Sequence, residues 1–412
     1  MTQKSTKLKL TKSVVDALPS PVKGQAIYRD SDLTGLALRI TSGGAKTFVV
    51  EKRINGHTRR IKLGRLGDLT PELARRKAQQ ILGEIAMGAD PVAKKQESAL
   101  KAVTLQVAFN CFLELRRNLK PRTVLDYKRH MKVTFADWKD KSLLSITPEM
   151  VIRRHTTIGA RSQSQANQAM RFLRALLNFA SANYVLTDGT SLLTQNPVTR
   201  LSKTRAWYRL RRRNTVITVG QLPVWFEAVT NYTYENSPRY AETTRDYLLF
   251  LLFTGLRRTE AAQLKWENVD LQARTITLHD TKNREDHTLP LPNYLFDMIK
   301  KRHGVAIGNY VFEGRDGKGI DAPTKHIRRI KNLSGVNFSL HDLRRTFATT
   351  AERLDLSGYA IKRLLNHKMN NDVTAGYIVN DVERLRKPMQ EIEDGLLEFV
   401  SSPRSEPLRA AA

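Results

Sequence analysis

One cysteine, Cys111, stands in 412 residues. That excludes an intramolecular disulfide and any cysteine-based zinc site. Cys111 lies in the apolar run FNCFLEL and reads as a helix residue rather than a reactive thiol. No stretch approaches the roughly 20 apolar residues of a membrane-spanning helix. The basic start MTQKSTKLKL leads into no apolar core of a signal peptide, so an intracellular chain is expected. A GxxxxGK loop ending in Ser or Thr is missing, as is any tight carboxylate cluster that would call for magnesium. Acidic residues are scarce: 40 Asp and Glu stand against 69 Lys and Arg, a formal net charge of +29. Such an excess repels itself in a compact chain and points to a polyanion: nucleic acid, an anionic membrane surface or acidic proteins.

What is present suggests several domains. Hydrophobic residues make up 41% of the chain, enough for real cores. Residues 27–63 read as β, with strands at Leu36–Thr41, Lys46–Ile54 and His57–Leu63, the last two joined by the hairpin signal Asn55-Gly56. This gives a basic three-stranded sheet suited to a major groove, one face of whose hairpin is expected to carry Lys52, Arg53, Arg59, Arg60, Lys62 and Arg65. Thr70-Pro71 opens a helix whose spacing points Leu73, Ile81, Leu82 and Ile85 inward, ending at Gly88. Asp90-Pro91 opens a polar linker, Ala93 to Ala102. Residues 103–200 read as nearly all helix, including Arg122–Trp138 and Ala166–Tyr184. A second linker, KTRAWYRLRRR (203–213), contains Arg211, Arg212 and Arg213 and is suited to tracking a phosphate backbone. Residues 215–395 form the largest unit, with helices around two short strands, Thr275–Leu278 and Thr288–Leu291. The chain is therefore expected to be mainly α with small β-sheets (α+β), in three domains at 1–95, 103–202 and 214–395, followed by a tail at 396–412.

Chemistry concentrates in the third domain. FTGLRRTEAAQLKW (253–266) places Arg257 just past an apolar helix, with Glu260 one turn on, where it can orient the guanidinium. SLHDLRRTFATT (339–350) places His341 and Arg344 three residues apart, on one face of a helix; an Arg clamps phosphate oxygens and a His relays protons. LLNHKMNNDVTAGYIV (364–379) places His367 ten residues before Tyr377. Taken singly, each has an ordinary reading: a surface arginine, a helix-start histidine, a core tyrosine. Their order, from Arg through a hairpin Lys282 (in HDTKNRED) to His-x-x-Arg, His and Tyr, is not ordinary.

That order resembles the tyrosine recombinase family, in its phage and genomic-island integrase branch, whose motifs include TGLR, HxLR and LGH before a nucleophilic Tyr. The resemblance covers nearly the whole chain. Residues 1–95 look like the arm-binding domain of satellite-phage integrases, 103–202 like the helical core-binding domain, and 214–395 like the catalytic domain. It implies a site-specific DNA recombinase that integrates and excises a mobile element through a 3′-phosphotyrosyl link, with neither metal nor nucleotide cofactor. Arg257 and Arg344 would hold the non-bridging oxygens of the scissile phosphate. Lys282 would protonate the leaving 5′-oxygen, His341 would relay the tyrosine proton, His367 would donate to the phosphate, and Tyr377 would attack phosphorus. Partners would be double-stranded DNA at core and arm sites, a homotetramer formed on DNA, DNA-bending accessory proteins and an excisionase. A cytoplasmic, nucleoid-associated place in a bacterium would follow. The family's Gly before the second His is Asn366 here.

Two other readings share these features. A type IB topoisomerase uses the same residue types but has no need of an arm-binding domain. A non-catalytic DNA-binding regulator suits the charge and the hairpin but leaves the phosphate-clamping set without purpose. Val382, Leu385, Met389, Ile392, Leu396 and Phe399 mark an amphipathic C-terminal helix. It would fold on its own domain or dock on a neighbouring protomer.

Overall fold

A computed structural model describes residues 6–54, 57–211, 213–279, 281, 285–367 and 381–401. The turn Asn55-Gly56 and the site candidates Arg212, Lys282 and Tyr377 lie outside the described residues. The chain separates into two compact units, Met1–Arg211 and Arg212–Ala412. The described residues bury two hydrophobic cores in the first unit and one in the second.

The first core lies under a five-stranded sheet in the order β1 (Thr6–Leu8), β2 (Gln25–Asp30), β3 (Leu36–Thr41), β4 (Lys46–Ile54) and β5 (His57–Arg65). β1 runs parallel to β2, and the other pairs are antiparallel. Two of these strands go beyond the three expected, because β2 has no clean alternation of buried and exposed residues to signal it. Leu36, Leu38 and Ile40 register with Val50, Phe48 and Lys46, and the apolar ones share a face with a common core, while Ala37 and Val49 are buried on the other face. Helix α1 (Lys12–Ala17) adds Val15 to this core. Helix α2 (Pro71–Ala86), capped by the Thr70 hydroxyl, packs on that face through fully buried Ala74 and Ala78. Leu73, expected inside, is instead 48% exposed. Asp30 ties the helix to the sheet: its buried carboxylate accepts N–H bonds from Leu10 and Leu33 and a two-pronged guanidinium contact from Arg75 at 2.8 and 3.0 Å.

The expected linker after Asp90-Pro91 is helical, α3 (Pro91–Lys101), because the Asp90 carboxylate accepts from the N–H groups of Val92 and Ala93 and starts a helix there. It buries no residue. The second core belongs to helices α4 (Leu105–Leu115), α5 (Pro121–Arg129), α6 (Pro148–Gly159), α7 (Gln163–Asn183) and α8 (Thr199–Lys203). α5 is shorter than the helix expected to reach Trp138, since a π-helical turn, His130–Thr134, replaces its end. The basic linker begins fastened to this core. Asn167 donates to the Tyr208 carbonyl at 2.9 Å, and the Tyr208 ring stacks on His155.

The third core surrounds α10 (Pro238–Thr254), whose segment from Asp246 to Thr254 is buried on every side. A helix apolar all round belongs in a core. It stops at Gly255, whose φ of +62° is left-handed and suits glycine. Around it lie α9 (Leu222–Thr230), α11 (Arg258–Ala262), the sheet β6 (Val269–Asp270), β7 (Thr275–Leu278) and β8 (His287–Pro290), then α12 (Asn293–Gly304), α13 (Thr324–Ser334), α14 (Leu340–Arg353), α15 (Gly358–Leu364) and α16 (Glu383–Ser401). α16 is the expected amphipathic helix. It buries Leu385, Met389, Ile392 and Leu396 in its own unit, and the boundary expected at 395 falls inside it. Its side chains also close the start of α12. Gln390 accepts from the Asn293 N–H, and the buried Glu393 carboxylate accepts from those of Tyr294 and Leu295. No helix among the described residues is long and apolar enough to cross a membrane.

Candidate active site

The site forms where α10 stops. Gly255 turns the chain so sharply that Arg257, two residues on, becomes the residue that opens α11. There Glu260 orients it: the carboxylate takes the Arg257 guanidinium at 2.7 Å and the Arg257 backbone N–H at 3.2 Å. The second arginine comes from α14. Helix start at Ser339 is fixed by Asp342, whose carboxylate accepts from the Ser339 N–H and hydroxyl. This sets Arg344 on the inner face of the helix, where it is only 5% exposed. Its two terminal nitrogens donate to the carbonyls of Gly255 and Leu365, both at 2.6 Å, and one of them lies 3.1 Å from His367 Nε2. With the guanidinium donating, that nitrogen accepts and the ring proton sits on Nδ1.

A turn of three residues holds the arginines apart and in place. After α15, the carbonyls of Leu364, Leu365 and Asn366 accept in succession from His287 Nε2 (3.2 Å), Arg344 (2.6 Å) and Arg257 (3.2 Å). The turn needs a left-handed residue at 366, where φ is +47°. Asn tolerates that conformation better than most side chains, which accounts for its standing where the resembled family has Gly. The Asn366 side chain adds a bond to the Thr281 hydroxyl at 3.0 Å, and that hydroxyl donates to the Glu285 carbonyl.

Electrostatics follow from this crowding. Burial, and then the neighbouring Arg257, pull the Arg344 guanidinium down to about 10, while Glu260 acts the other way. His367 lies below the ordinary imidazole range, first through burial and then through Arg344, Arg257 and Lys362. His341, in the first turn of α14, is lowered in the same way, by partial burial and then by Arg345 and Arg344. Both rings are therefore neutral near pH 7. The ensemble is a small positive site with two fixed guanidiniums and two neutral imidazoles, which suits the grip of a phosphodiester.

Arg257 with Glu260 and Arg344 with His367 are thus paired, the two pairs meet at the 364–366 turn, and His341 stands one helical turn before Arg344. Sequence reasoning missed Thr281 and His287; His287 shares the two-residue period of the buried Leu289 in β8, whereas Thr281 lies outside both strands and gives no such signal. Nor could sequence reasoning see the three carbonyls, which are backbone. Among the described residues no group of three or more His, Cys, Asp and Glu side chains could hold a metal ion.

The phage integrase family profile matches residues 228–384, a span that contains every residue of this site. The chain carries a phage integrase (tyrosine recombinase) domain. A second profile, an arm DNA-binding domain, matches residues 10–98 of this recombinase, which include the five-stranded sheet from β2 onward and α2. Prophage integrase IntF of Escherichia coli (strain K12) is 27% identical over 91% of this recombinase and 87% of its own length. Two solved structures share the fold at TM-score 0.52. One is a lambda integrase dimer bound to a COC′ core site, 20% identical, spanning 84% of this chain and 95% of that one. The other is a lambda integrase tetramer bound to a Holliday junction, 19% identical, spanning 85% and 95%.

The arm sheet corrects one expectation. The register pairs Lys52 with Arg59 on the face shared with Phe48, Val50 and Ile61. Arg53, Arg60, Lys62 and Arg65 lie on the opposite face. A strand's two-residue period cannot place all six on one side. Arg29 and Arg39, read from β2 and β3, join that opposite face instead. In its middle Glu51 bridges Arg29 at 2.8 Å and the Arg60 Nε at 2.7 Å.

Proposed function

We propose that this recombinase integrates and excises a mobile element by cutting and rejoining DNA through a 3′-phosphotyrosyl ester on Tyr377, with no need of ATP or a metal ion. The observation that carries this reading is the pair Arg257 and Arg344, drawn from elements far apart in sequence and locked to one backbone turn beside His367. In this reading the arginines neutralise the non-bridging oxygens as the tyrosine oxygen bonds to phosphorus and the bond to the 5′-oxygen breaks. A phenol has a pKa near ~10, so a positive, partly dry pocket favours its ionised form. His341 takes the tyrosine proton, His367 donates to the phosphate through its remaining N–H, and Lys282 protonates the departing 5′-oxygen. The ester retains the energy of the phosphodiester, so the reverse attack rejoins the strand.

The three-domain division belongs to the same proposal: 1–95 binds arm sites, 103–202 and 214–395 together bind core sites, and Arg211, Arg212 and Arg213 follow the backbone between them. For the arm domain, the face with Arg29, Arg39, Arg53, Arg60, Lys62 and Arg65 is the DNA surface. Lys52 and Arg59 are not part of it. A homotetramer on DNA, DNA-bending accessory proteins and an excisionase complete the assembly. It acts in the bacterial cytoplasm, at the nucleoid.

A suicide substrate tests the chemistry. Nicked DNA from the flanks of the gene's own element, incubated with protein in EDTA, is expected to yield a denaturant-resistant protein–DNA band that Tyr377→Phe abolishes. Strand exchange between two duplexes then separates a recombinase from a topoisomerase. No band on DNA that the protein binds would replace this reading by that of a DNA-binding regulator.

A further inference from the structure

The turn at 364–366 is held from two sides. The arginines take the carbonyls of Leu365 and Asn366, as already described. From the other side come two residues of the β7–β8 hairpin: His287 Nε2 lies 3.2 Å from the Leu364 carbonyl, and the Thr281 hydroxyl accepts the Asn366 side-chain N–H at 3.0 Å. Both are buried, His287 at 9% and Thr281 at 2% exposure. Both bond to the turn, Thr281 through the Asn366 side chain and His287 through the Leu364 carbonyl. A buried polar group retained at such a place needs a partner, and each has one.

We propose that His287 and Thr281 are positioning residues, which fix the carbonyl turn and through it the two guanidiniums of the phosphate clamp. A peptide carbonyl can accept from Arg344 in the right direction only if its plane is fixed. The N–H groups of Leu365, Asn366 and His367 bond back to the carbonyls of Ile361, Arg363 and Lys362 and shape the turn, and the contacts at Leu364 and at the Asn366 side chain fix that turn against the hairpin. Imidazole fits the role for a chemical reason. Burial holds His287 below the ordinary imidazole range, with Arg344 and Arg257 adding to the effect and the Leu364 carbonyl and Glu260 opposing it. The ring is thus a neutral donor, and it adds no third positive charge behind two arginines. A lysine or arginine in its place would donate as well but would compete with Arg344 for the same field.

This inference rests on the recombinase reading, so its test separates the two. Full-length wild type, His287→Asn, His287→Gln and Thr281→Val are compared in single-turnover cleavage of the nicked substrate, with DNA binding and thermal unfolding measured alongside. A Gln amide reaches the Nε2 position and can donate there; an Asn amide ends near Nδ1 and cannot. His287→Asn is expected to slow cleavage on the order of 10²-fold, as a misplacement of about 1 Å does, with DNA affinity unchanged and His287→Gln restoring most of the rate. Thr281→Val should slow it in the same sense. A second substrate carries a methylphosphonate at the scissile position. It removes one charged oxygen, so misplaced guanidiniums cost less, and the gap between His287→Asn and wild type should shrink to less than about tenfold. A third carries sulfur at the 5′-bridging position, a leaving group that departs without protonation. A gap that closes on sulfur alone would place His287 on the leaving-group side and overturn the inference, as would equal rates for Asn, Gln and wild type on the ordinary phosphate. A wild type that forms no covalent product on any substrate would overturn the recombinase reading itself, and this inference with it.

Discussion

Replacing Arg344 by lysine keeps the charge and removes the fork, and the structure says how much that should matter. The guanidinium reaches two carbonyls at 2.6 Å and His367 at 3.1 Å. An ammonium on a shorter stem can keep one carbonyl at best. The other is left buried without a donor, at about 1–3 kcal/mol. Arg344 already sits in an unfavourable place: burial, and then Arg257, pull its guanidinium down to about 10, well below its ordinary value. An arriving anion would favour that buried charge. A lysine would lose its proton more readily under the same burial and would give up that charge. The fold is expected to lose about 2–3 kcal/mol, or roughly 5–10 °C in Tm for a unit of this size. Cleavage should fall much further, by about 10²–10³, the usual effect of losing one oriented donor to a developing charge. Suicide-substrate cleavage under single-turnover conditions, held well below the variant's Tm, measures the second effect, and thermal unfolding measures the first. Cleavage within tenfold of wild type, with Tm unchanged, would refute the reasoning, because the carbonyl contacts would then hold nothing that catalysis needs.

Gly255→Ala should be worse for activity than its size suggests. The added Cβ would stand 2.5 Å from the Phe347 ring at a φ of +62°, costing about 1–3 kcal/mol and displacing the carbonyl that Arg344 needs, so cleavage is expected to drop more than Tm does. Asp30→Ala removes the main partner of the Arg75 guanidinium and leaves two backbone N–H groups without their acceptor; about 3–5 kcal/mol should be lost from the arm domain, seen as a new low-temperature unfolding transition and lost arm-site binding, with suicide-substrate cleavage retained. In the arm sheet, Lys62→Ala should lower the slope of log K against log salt by about 0.9, while Lys52→Ala, on the other face, leaves it unchanged; equal effects in a DNA titration would sink the assignment of faces. His287, His326, His341 and His367 all titrate below the ordinary imidazole range in the fold. Unfolded histidines bind protons near pH ~6.5 and these do not, so stability is full above that pH and should fall as pH drops below it. Melting curves between pH 7.5 and 5 check this, and a Tm that holds steady or rises on acidification would contradict it.

How much of this was legible beforehand depends on where each feature is written. The fold's helices were visible because burial imposes a period, as in α7, and because caps such as Thr70 and Thr147 are local chemistry. The two clamp arginines proposed for catalysis were visible because TGLR and HDLR are short motifs in a fixed order. What failed did so for stated reasons. A polar stretch such as α3 hides a helix because its only signal is the Asp90 cap and Pro91, and nothing on it is buried. Leu73 was misread because α2 meets the sheet through alanines, whose smallness and not their hydrophobicity brings the helix close. The arm face was misread because proximity in sequence was allowed to override the two-residue period of a strand. The carbonyl turn was beyond reach altogether, since any residue has a carbonyl and only a left-handed Asn366 hints that three of them turn inward.

The same turn resolves a difficulty the sequence poses. Two arginines in one partly buried site repel each other, and Arg257 does depress Arg344. One carboxylate, Glu260, offsets one of the charges, and it sits on Arg257. Arg344 has no carboxylate within ion-pair distance among the described residues, and receives carbonyl oxygens instead. A second carboxylate there would have neutralised the site and left nothing for a phosphate. Carbonyl dipoles hold the cation in place while leaving its charge uncancelled. The described groups therefore carry about one net positive charge, matched to the single negative charge of a phosphodiester. In the proposed reaction, negative charge on the phosphoryl oxygens grows as the tyrosine oxygen attacks, while the fixed guanidiniums need not move. The attraction is then greater in the transition state than in the bound ground state, which is the condition for these contacts to speed the reaction and not merely tighten binding.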